Sequence, residues 1–530
     1  MKHVLKIFTV LALSLCLILF ASAETVASGT CGSNVTWTLD SEGTMTLSGS
    51  GDTTDYFSYE TSHRPWDDYK SKIKKIVIEN RVATITRDLF LGLGNLEEVY
   101  ISPSVSLIGQ DAFGYCAKIK AFYVDEKNAF YSSEDGVLFD ADKTVLIQYP
   151  AANPRTEYTM PNTVTKLETM AFYKAKKLVN ITFSSSLKQT SYRAFSGCSS
   201  IKEVVLPEGL EKLSLGSFEY CSLLEKIVFP STIKTIAGGS FAYCTSLKEF
   251  TFPQITDIYN GMFEGCTALK KVVLPEGITE IGSYMFYKCA ALTEVYIPDT
   301  VKLIDEYAFA GCRKLDVKIP SSLTKIENGA FLNCKSLKSI SVPSGVTRIS
   351  QSAFSGCSSL VEVTLPDNVT VIEDYAFKNC TSLRRFVSLA TYGVPTTSQM
   401  DLDIQDKAFE GCSSLVTVYL DAYNPRFYSY TVFNGCEALA DIYIRGEKDD
   451  VSYRSLKYLE TQKGVRIHFN HESMPTFTPD YNGSGKVDTV DVLLCLKESL
   501  NAPGSLSIDI DGDGKTTLLD IMHQIKLATI

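Results

Sequence analysis

The chain has 530 residues, 45% of them hydrophobic, and a formal net charge of -10. That length allows several domains, and the absence of a basic stripe argues against a nucleic-acid partner. Five histidines in all, His3 among them, leave little material for histidine chemistry.

Residues 1–23 read as a secretion signal. Met1-Lys2-His3 and Lys6 give a basic start, Ile7 to Phe20 an apolar core, and Ala21-Ser22-Ala23 a small-residue cleavage site before Glu24. The apolar run is short for a membrane span. Cys16 follows Leu15, where a lipidated cysteine would follow a small residue. The expectation is an exported chain without a membrane span, held in place only through a binding module.

Residues 24–71 are expected to form an N-terminal β cap. Cys31 to Leu39 and Gly43 to Gly51 alternate as two strands around the Glu42-Gly43 turn, followed by Pro65-Trp66. Such a hairpin would shield the first unit of what comes next.

Residues 72–470 repeat. The unit Ile201-Lys-Glu-Val204-Val-Leu206-Pro207-Glu-Gly-Leu210-Glu-Lys-Leu213-Ser-Leu-Gly-Ser-Phe218-Glu-Tyr-Cys221-Ser-Leu-Leu224 recurs from Leu269, Leu292, Leu337 and Leu360. Its Phe falls at Phe195, Phe218, Phe241, Phe263, Phe286, Phe309, Phe331, Phe354 and Phe377, always 22 or 23 residues on. Earlier copies end at Phe90, Phe113 and Phe172, later ones at Phe409 and Phe433. No unit of this size buries its apolar face alone, so stacking makes the core and the array is a solenoid. Each unit reads as a short strand, a Pro-led turn and a compact return with a short helical or irregular piece. In the strand, alternation turns Ile201, Val204 and Leu206 inward and Val205 outward. Pro207 cannot donate to a ladder and ends the strand. The fold class expected is an α/β repeat solenoid with short parallel strands.

The period breaks twice. Phe113 to Phe172 spans 59 residues, where two repeats would take about 46, and Gly136 to Pro150 within it reads as an extra hairpin. Phe377 to Phe409 spans 32, an insertion around Ala390 to Met400. Insertions in repeats go to surface loops, either as binding elements or as tolerated decoration.

Twelve of the fifteen cysteines share one repeat position, three after the Phe: Cys116, Cys198, Cys221, Cys244, Cys266, Cys289, Cys312, Cys334, Cys357, Cys380, Cys412 and Cys436. Export would favour disulfides. However, Leu93 and Ala175 hold the same position in other units, which marks a buried apolar site, and in-register cysteines point the same way, which suits disulfide geometry poorly. The residues favour a ladder of buried thiols acting as small hydrophobes over a disulfide set.

Residues 440–470 are expected to close the solenoid and residues 471–479 to form a linker. Residues 480–530 hold two calcium-binding loops, Asp480 to Asp491 and Asp509 to Asp520. Oxygen side chains stand at positions 1, 3, 5, 9 and 12, with Gly485 or Gly514 at the bend. The expected ligands are Asp480, Asn482, Ser484, Asp488 and Asp491 in the first loop, and Asp509, Asp511, Asp513, Thr517 and Asp520 in the second, with Lys486 and Lys515 at the position that lends a backbone carbonyl. Two calcium ions are therefore expected in a small all-α module. An apolar, helix-like run follows each loop.

The repeats resemble the BspA-like, or Treponema pallidum type, leucine-rich repeat over about three quarters of the chain. The Cys31–Gly51 and Pro65-Trp66 segments look like that family's leader. The C-terminal loops carry Asp where an EF-hand carries Glu at position 12, and they resemble the type I dockerin. That resemblance implies a cohesin partner contacted by Thr489, Val490, Leu496 and Lys497 after the first loop and Leu518, Leu519, Ile525 and Lys526 after the second. A calcium-stabilised cap without a partner is the alternative reading of the same residues.

No enzyme signature is found: no His-Glu-x-x-His, no nucleophile elbow, no phosphate loop and no cysteine-histidine pairing. The outward strand position forms a column with tyrosines near its two ends, Tyr100 and Tyr123, then Tyr296, Tyr419 and Tyr443. Tyrosine suits protein or sugar contacts, while plain strand propensity accounts for the same residues. The expectation is a non-catalytic adhesion or binding protein whose repeats recognise a protein or glycan and whose dockerin docks to a cohesin-bearing scaffold or surface. The alternative is a hydrolytic or inhibitory component of a cellulosome-like, polysaccharide-degrading complex.

Overall fold

The computed structural model describes residues 23–56, 63–255, 257–366, 368–388, 402–422, 425–446 and 450–469. Two units divide the chain, Met1–His468 and Phe469–Ile530. Residues 1–22 of the signal, the insertion around Ala390 to Met400, the linker, both calcium loops and the runs after them lie outside the described residues.

The chain begins with three antiparallel strands, Thr25–Thr30, Val35–Asp40 and Thr44–Gly49. Val35, Trp37 and Leu39 alternate inward and are buried. The turn forms at Glu42-Gly43 because Asp40 Oδ1 accepts the N–H of Glu42 (3.0 Å) and Thr44 (2.7 Å) and Gly43 takes a positive φ of 92°. The first of the three strands was not legible as one, since TVASGT alternates without large apolar residues. Thr44–Gly49 then pairs in parallel with Lys75–Ile78. Glu98–Ile101 and Ala121–Val124 continue that sheet to six strands.

The typical coil carries two strands rather than one. Glu203–Val205 pairs with Lys226–Val228 on one side of the coil, and Lys212–Leu213 with Thr235–Ile236 on the other. Val204 and Leu206 are buried, and Val205 is 58% exposed.

The return is not helical, which corrects the α/β expectation. Among the described residues, helix is confined to a single 3-10 turn at Asp67–Tyr69 and to Asp450–Tyr458, which runs on as one π turn, Leu459–Lys463. In place of a helix, each coil makes a corner at its Phe. The residues two before and two after it have positive φ at every Phe from Phe90 to Phe409. The corner aims alternate N–H groups at the next coil. Around Phe195, the N–H groups of Arg193, Phe195 and Gly197 donate to the carbonyls of Leu215 (2.9 Å), Ser217 (2.9 Å) and Glu219 (2.7 Å). The intervening Ala194, Ser196 and Cys198 donate within their own coil. A helix would direct these donors along the chain; the corner spends half of them on stacking.

Two side-chain ladders run through the core. From Phe172 to Phe433 the rings stack at 4.9 to 6.2 Å. Trp66 stacks on Phe90, and Tyr149 on Phe172. They act as additional rungs that a search for Phe alone passes over.

Beside the rings run the cysteines. Each of the twelve repeat thiols donates to the carbonyl of the preceding coil's Phe at 3.1 to 3.3 Å. These are weak bonds, and they satisfy the S–H without polarising the site. The thirteen described cysteines are all free, and all but the half-buried Cys436 are buried. Burial pushes the thiols of Cys116, Cys198 and Cys266 up to about 12, so they are packing groups rather than nucleophiles.

At the first break in period, Val137–Asp140 pairs antiparallel with both Tyr131–Glu134 and Val145–Gln148, and the latter joins Lys166–Leu167 in parallel. The Phe113-to-Phe172 interval is thus one coil with Tyr149 as its rung, plus a hairpin. The array ends with Arg466–His468 pairing in parallel with Asp441–Ile444.

Candidate functional site: the strand face

The outward column is in register through most of the array. Val77 pairs with Tyr100, Tyr100 with Tyr123, Val205 with Val228, Thr251 with Val273 and Val273 with Tyr296. Further on, Ser341, Thr364, Val387, Tyr419, Tyr443 and His468 follow one another. The fixed period places one residue at the outward strand position of each coil, so the membership of this column is legible in the sequence.

Its tyrosines occupy three different settings. Tyr100 and Tyr123 stack at 4.6 Å, with the Lys75 ammonium 4.2 Å from the Tyr100 ring on its other side. The Tyr100 hydroxyl donates to Glu98 Oε2 at 3.1 Å. Partial burial and then Glu98 raise the Tyr100 phenol above its ordinary value. Ala121–Val124 is the last strand of its sheet, and Tyr123 is 43% exposed. Both rings border a surface hollow of about 510 Å³ that also takes in Asn80, Asp125 and Lys127.

Tyr296 is 56% exposed and borders a wider groove of about 840 Å³ with Val273, Lys318 and the Lys271–Glu294 ion pair (3.0 Å). The groove has a sequence origin. Leu292 to Ile297 has two residues between Leu and Val, whereas Leu315 to Ile319 has only one, Asp316. The shortened segment forms no strand, and Lys318 sits beside the sheet rather than in it.

Tyr419 and Tyr443 differ again. Tyr419 is 8% exposed, stacked at 4.8 Å on Tyr443, which stacks at 4.4 Å on His468. Tyr419 is therefore packed rather than presented, contrary to its expected outward exposure, and Val387 beside it is buried as well. Asp441 anchors this end. It accepts Arg466 Nε (2.7 Å) and Nη2 (2.6 Å) and pairs with His468 Nε2 (2.9 Å). The Arg466 hydrogen bonds, then those of His468, hold its carboxyl below the usual range against the cost of partial burial.

A family description of BspA type leucine-rich repeat regions matches residues 68–135, 153–270, 256–384 and 395–477, well over half of the chain. The chain belongs to the BspA-type leucine-rich repeat family. Several solved structures are similar to it. A leucine-rich repeat protein from Bacteroides ovatus is 20% identical, with 83% of this chain and 98% of that chain covered and a TM-score of 0.40. One from Eubacterium ventriosum is 23% identical over 58% of this chain and 95% of that one, with a TM-score of 0.37. A leucine-rich cell surface protein from Faecalibacterium prausnitzii is 18% identical over 82% and 98%, at 0.32. No curated protein matches.

The described residues contain no group of three or more His, Cys, Asp or Glu able to hold a metal ion. None of their helices is long and apolar enough to cross a membrane. The calcium ligands and cohesin-facing residues predicted from sequence lie outside the described residues. Sequence reasoning missed the groove beside Tyr296; the missing residue before Val317 was its only signal.

Proposed function

We propose that this BspA-type protein is an exported, non-catalytic binding protein whose strand face recognises a protein or glycan partner. The observation that carries the reading is the Tyr100–Tyr123 stack, in register, open to solvent and bordering a polar hollow. Paired rings offer large apolar area at low entropic cost, and Asn80, Asp125 and Lys127 supply orienting polar groups. The C-terminal loops serve attachment in this reading: two calcium ions held by the oxygen-rich positions order the module, which docks to a cohesin. The donor set supports calcium because it is all hard oxygen, with four carboxylates in the second loop and three in the first.

The test uses the full mature chain against arrays of polysaccharides and surface proteins, beside a Tyr123→Ala variant. Loss of the captured ligand by that variant, with an unchanged melting transition, supports the reading; capture that Tyr123→Ala leaves intact sinks the strand-face assignment. Release of soluble sugar from any polysaccharide would favour the hydrolytic alternative. For attachment, Asp480→Ala with Asp509→Ala should abolish cohesin capture while the solenoid keeps its circular-dichroism signal, because metal and folding free energy are linked only within the module. Cohesin capture that persists in excess chelator would sink the docking reading.

A further inference from the structure

The first break in the period builds a second site, away from the strand face. From Phe172 to Phe377, every Phe corner donates three alternate N–H groups to the next coil, as does the corner at Phe90. The corner at Phe113 does not. Ala112, Gly114 and Cys116 donate within the coil as usual, but the N–H groups of Asp111, Phe113 and Tyr115 find no acceptor among the described residues. The hairpin displaces the coil that would supply the carbonyls. A cavity of about 350 Å³ lies there, and Asp111 and Phe113 line it.

Its walls have two characters. Ile108, Phe113 and Ile147 form an apolar side, and Asp111, Asp140 and Glu168 bring three carboxylates. Two of these are compensated. Asp140 accepts the Thr144 hydroxyl (2.5 Å) and the Val145 N–H (2.9 Å), and Glu168 pairs with Lys166 at 2.6 Å. Asp111 is not. Its Oδ1 is buried without a partner, and Oδ2 has only Gln110 Nε2 at 3.4 Å. Arg87 nearby pairs with Asp88 at 3.7 Å. Burial, and then Asp88, raise the Asp111 carboxyl above its ordinary value by more than the nearby Arg87 lowers it.

We infer that this cleft binds an extended peptide segment carrying a basic side chain. Alternate N–H donors call for a row of alternate carbonyls, which the next coil presents at Phe90 and from Phe172 to Phe377 and which an extended peptide presents along one edge. The apolar wall receives a neighbouring side chain, and the uncompensated Asp111 receives an ammonium or guanidinium. The site is independent of the strand face.

The test measures fluorescence anisotropy of a labelled acetyl-Leu-Lys-Leu-amide on the full mature chain, against its Leu-Glu-Leu counterpart, with hydrogen exchange read across residues 109–116. The Lys peptide should bind at least about tenfold more tightly than the Glu peptide and should slow exchange at the Asp111 and Phe113 amides. Asp111→Asn should erase most of that preference, and Asn suits the positive φ of 56° at this position. Glu168→Gln should weaken the preference less, and it serves as the charge variant if Asp111→Asn does not fold. Equal affinity for the two peptides, unprotected amides, a preference untouched by both variants, or protection by a chitin oligosaccharide in place of the peptide would each overturn the inference.

Discussion

Between Phe172 and Phe377 every Phe corner uses its neighbour completely; between Phe113 and Phe172 it does not. In the first stretch a ring stacks on a ring, a thiol meets a carbonyl and three N–H groups meet three carbonyls, coil after coil. In the second, the same corner is built at Phe113, but the coil beside it is pushed aside by a hairpin. The difference shows how a solenoid acquires a site. The repeat makes edge groups that demand partners, and an insertion leaves some of them facing a cavity instead of the next coil.

The sharpest way to break this comparison is to remove a ring from each stretch. Phe286 is fully buried between Phe263 and Phe309, so Phe286→Ala should cost about 3–5 kcal/mol. Phe113 stacks on Phe90 but borders the cavity, so Phe113→Ala should cost about 1 kcal/mol less, because part of its surround is already unfilled. Denaturant midpoints measured on both variants would decide it. Equal costs would mean that the cavity closes up in solution.

A smaller effect tests the thiol ladder of the regular stretch. Cys289 is buried and donates to Phe263 O at 3.1 Å. Cys289→Ala should cost about 1 kcal/mol, mostly from a small void, since the S–H bond is weak. A thiol assay on the denatured chain should find the repeat cysteines unpaired. Five or six disulfides by mass spectrometry would overturn the packing role.

The regular stretch was largely legible in the sequence because a fixed period fixes register. Once Val205 faces outward, Val228 must follow it, and the structure pairs the two. The inward thiols were legible for a related reason: Leu93 and Ala175 at the same position mark it as apolar. The corners were not legible, since one left-handed position is filled by Gly197, Tyr220, Lys288 and Asn333 in different coils. No residue preference shows the geometry until the Phe is taken as origin. Trp66 and Tyr149 escaped because they are rungs of another residue type. The burial of Tyr419 escaped because it depends on what packs around the ring, which no single repeat encodes. The cavity at Phe113 needed the structure outright: the sequence marks the insertion, not which donors it strands.

The smallest expected effect concerns the C-terminal end of the described array, where a further strand pairs with the last coil. Arg466–His468 closes the sheet, and Asp441 grips both Arg466 and His468. The Asp441 carboxyl is held low when folded, chiefly by Arg466. A depressed carboxylate contributes stability that is present above its unfolded value of about 3.9 and lost as pH falls through its folded one. Acidification below pH of about 4 should therefore loosen this strand before it affects the Phe ladder, whose thiols and Tyr149 rung stay protonated throughout that range. Hydrogen exchange at residues 466–468, followed from neutral pH downward, reads the effect directly. In Asp441→Asn the strand should start less protected and change little on acidification. The same acid response in wild type and variant would place the pH-sensitive contact elsewhere. A Phe ladder that loosens together with the strand would show that the array melts as one unit, and the contrast between the cavity at Phe113 and the strand at 466–468 would then be structural only.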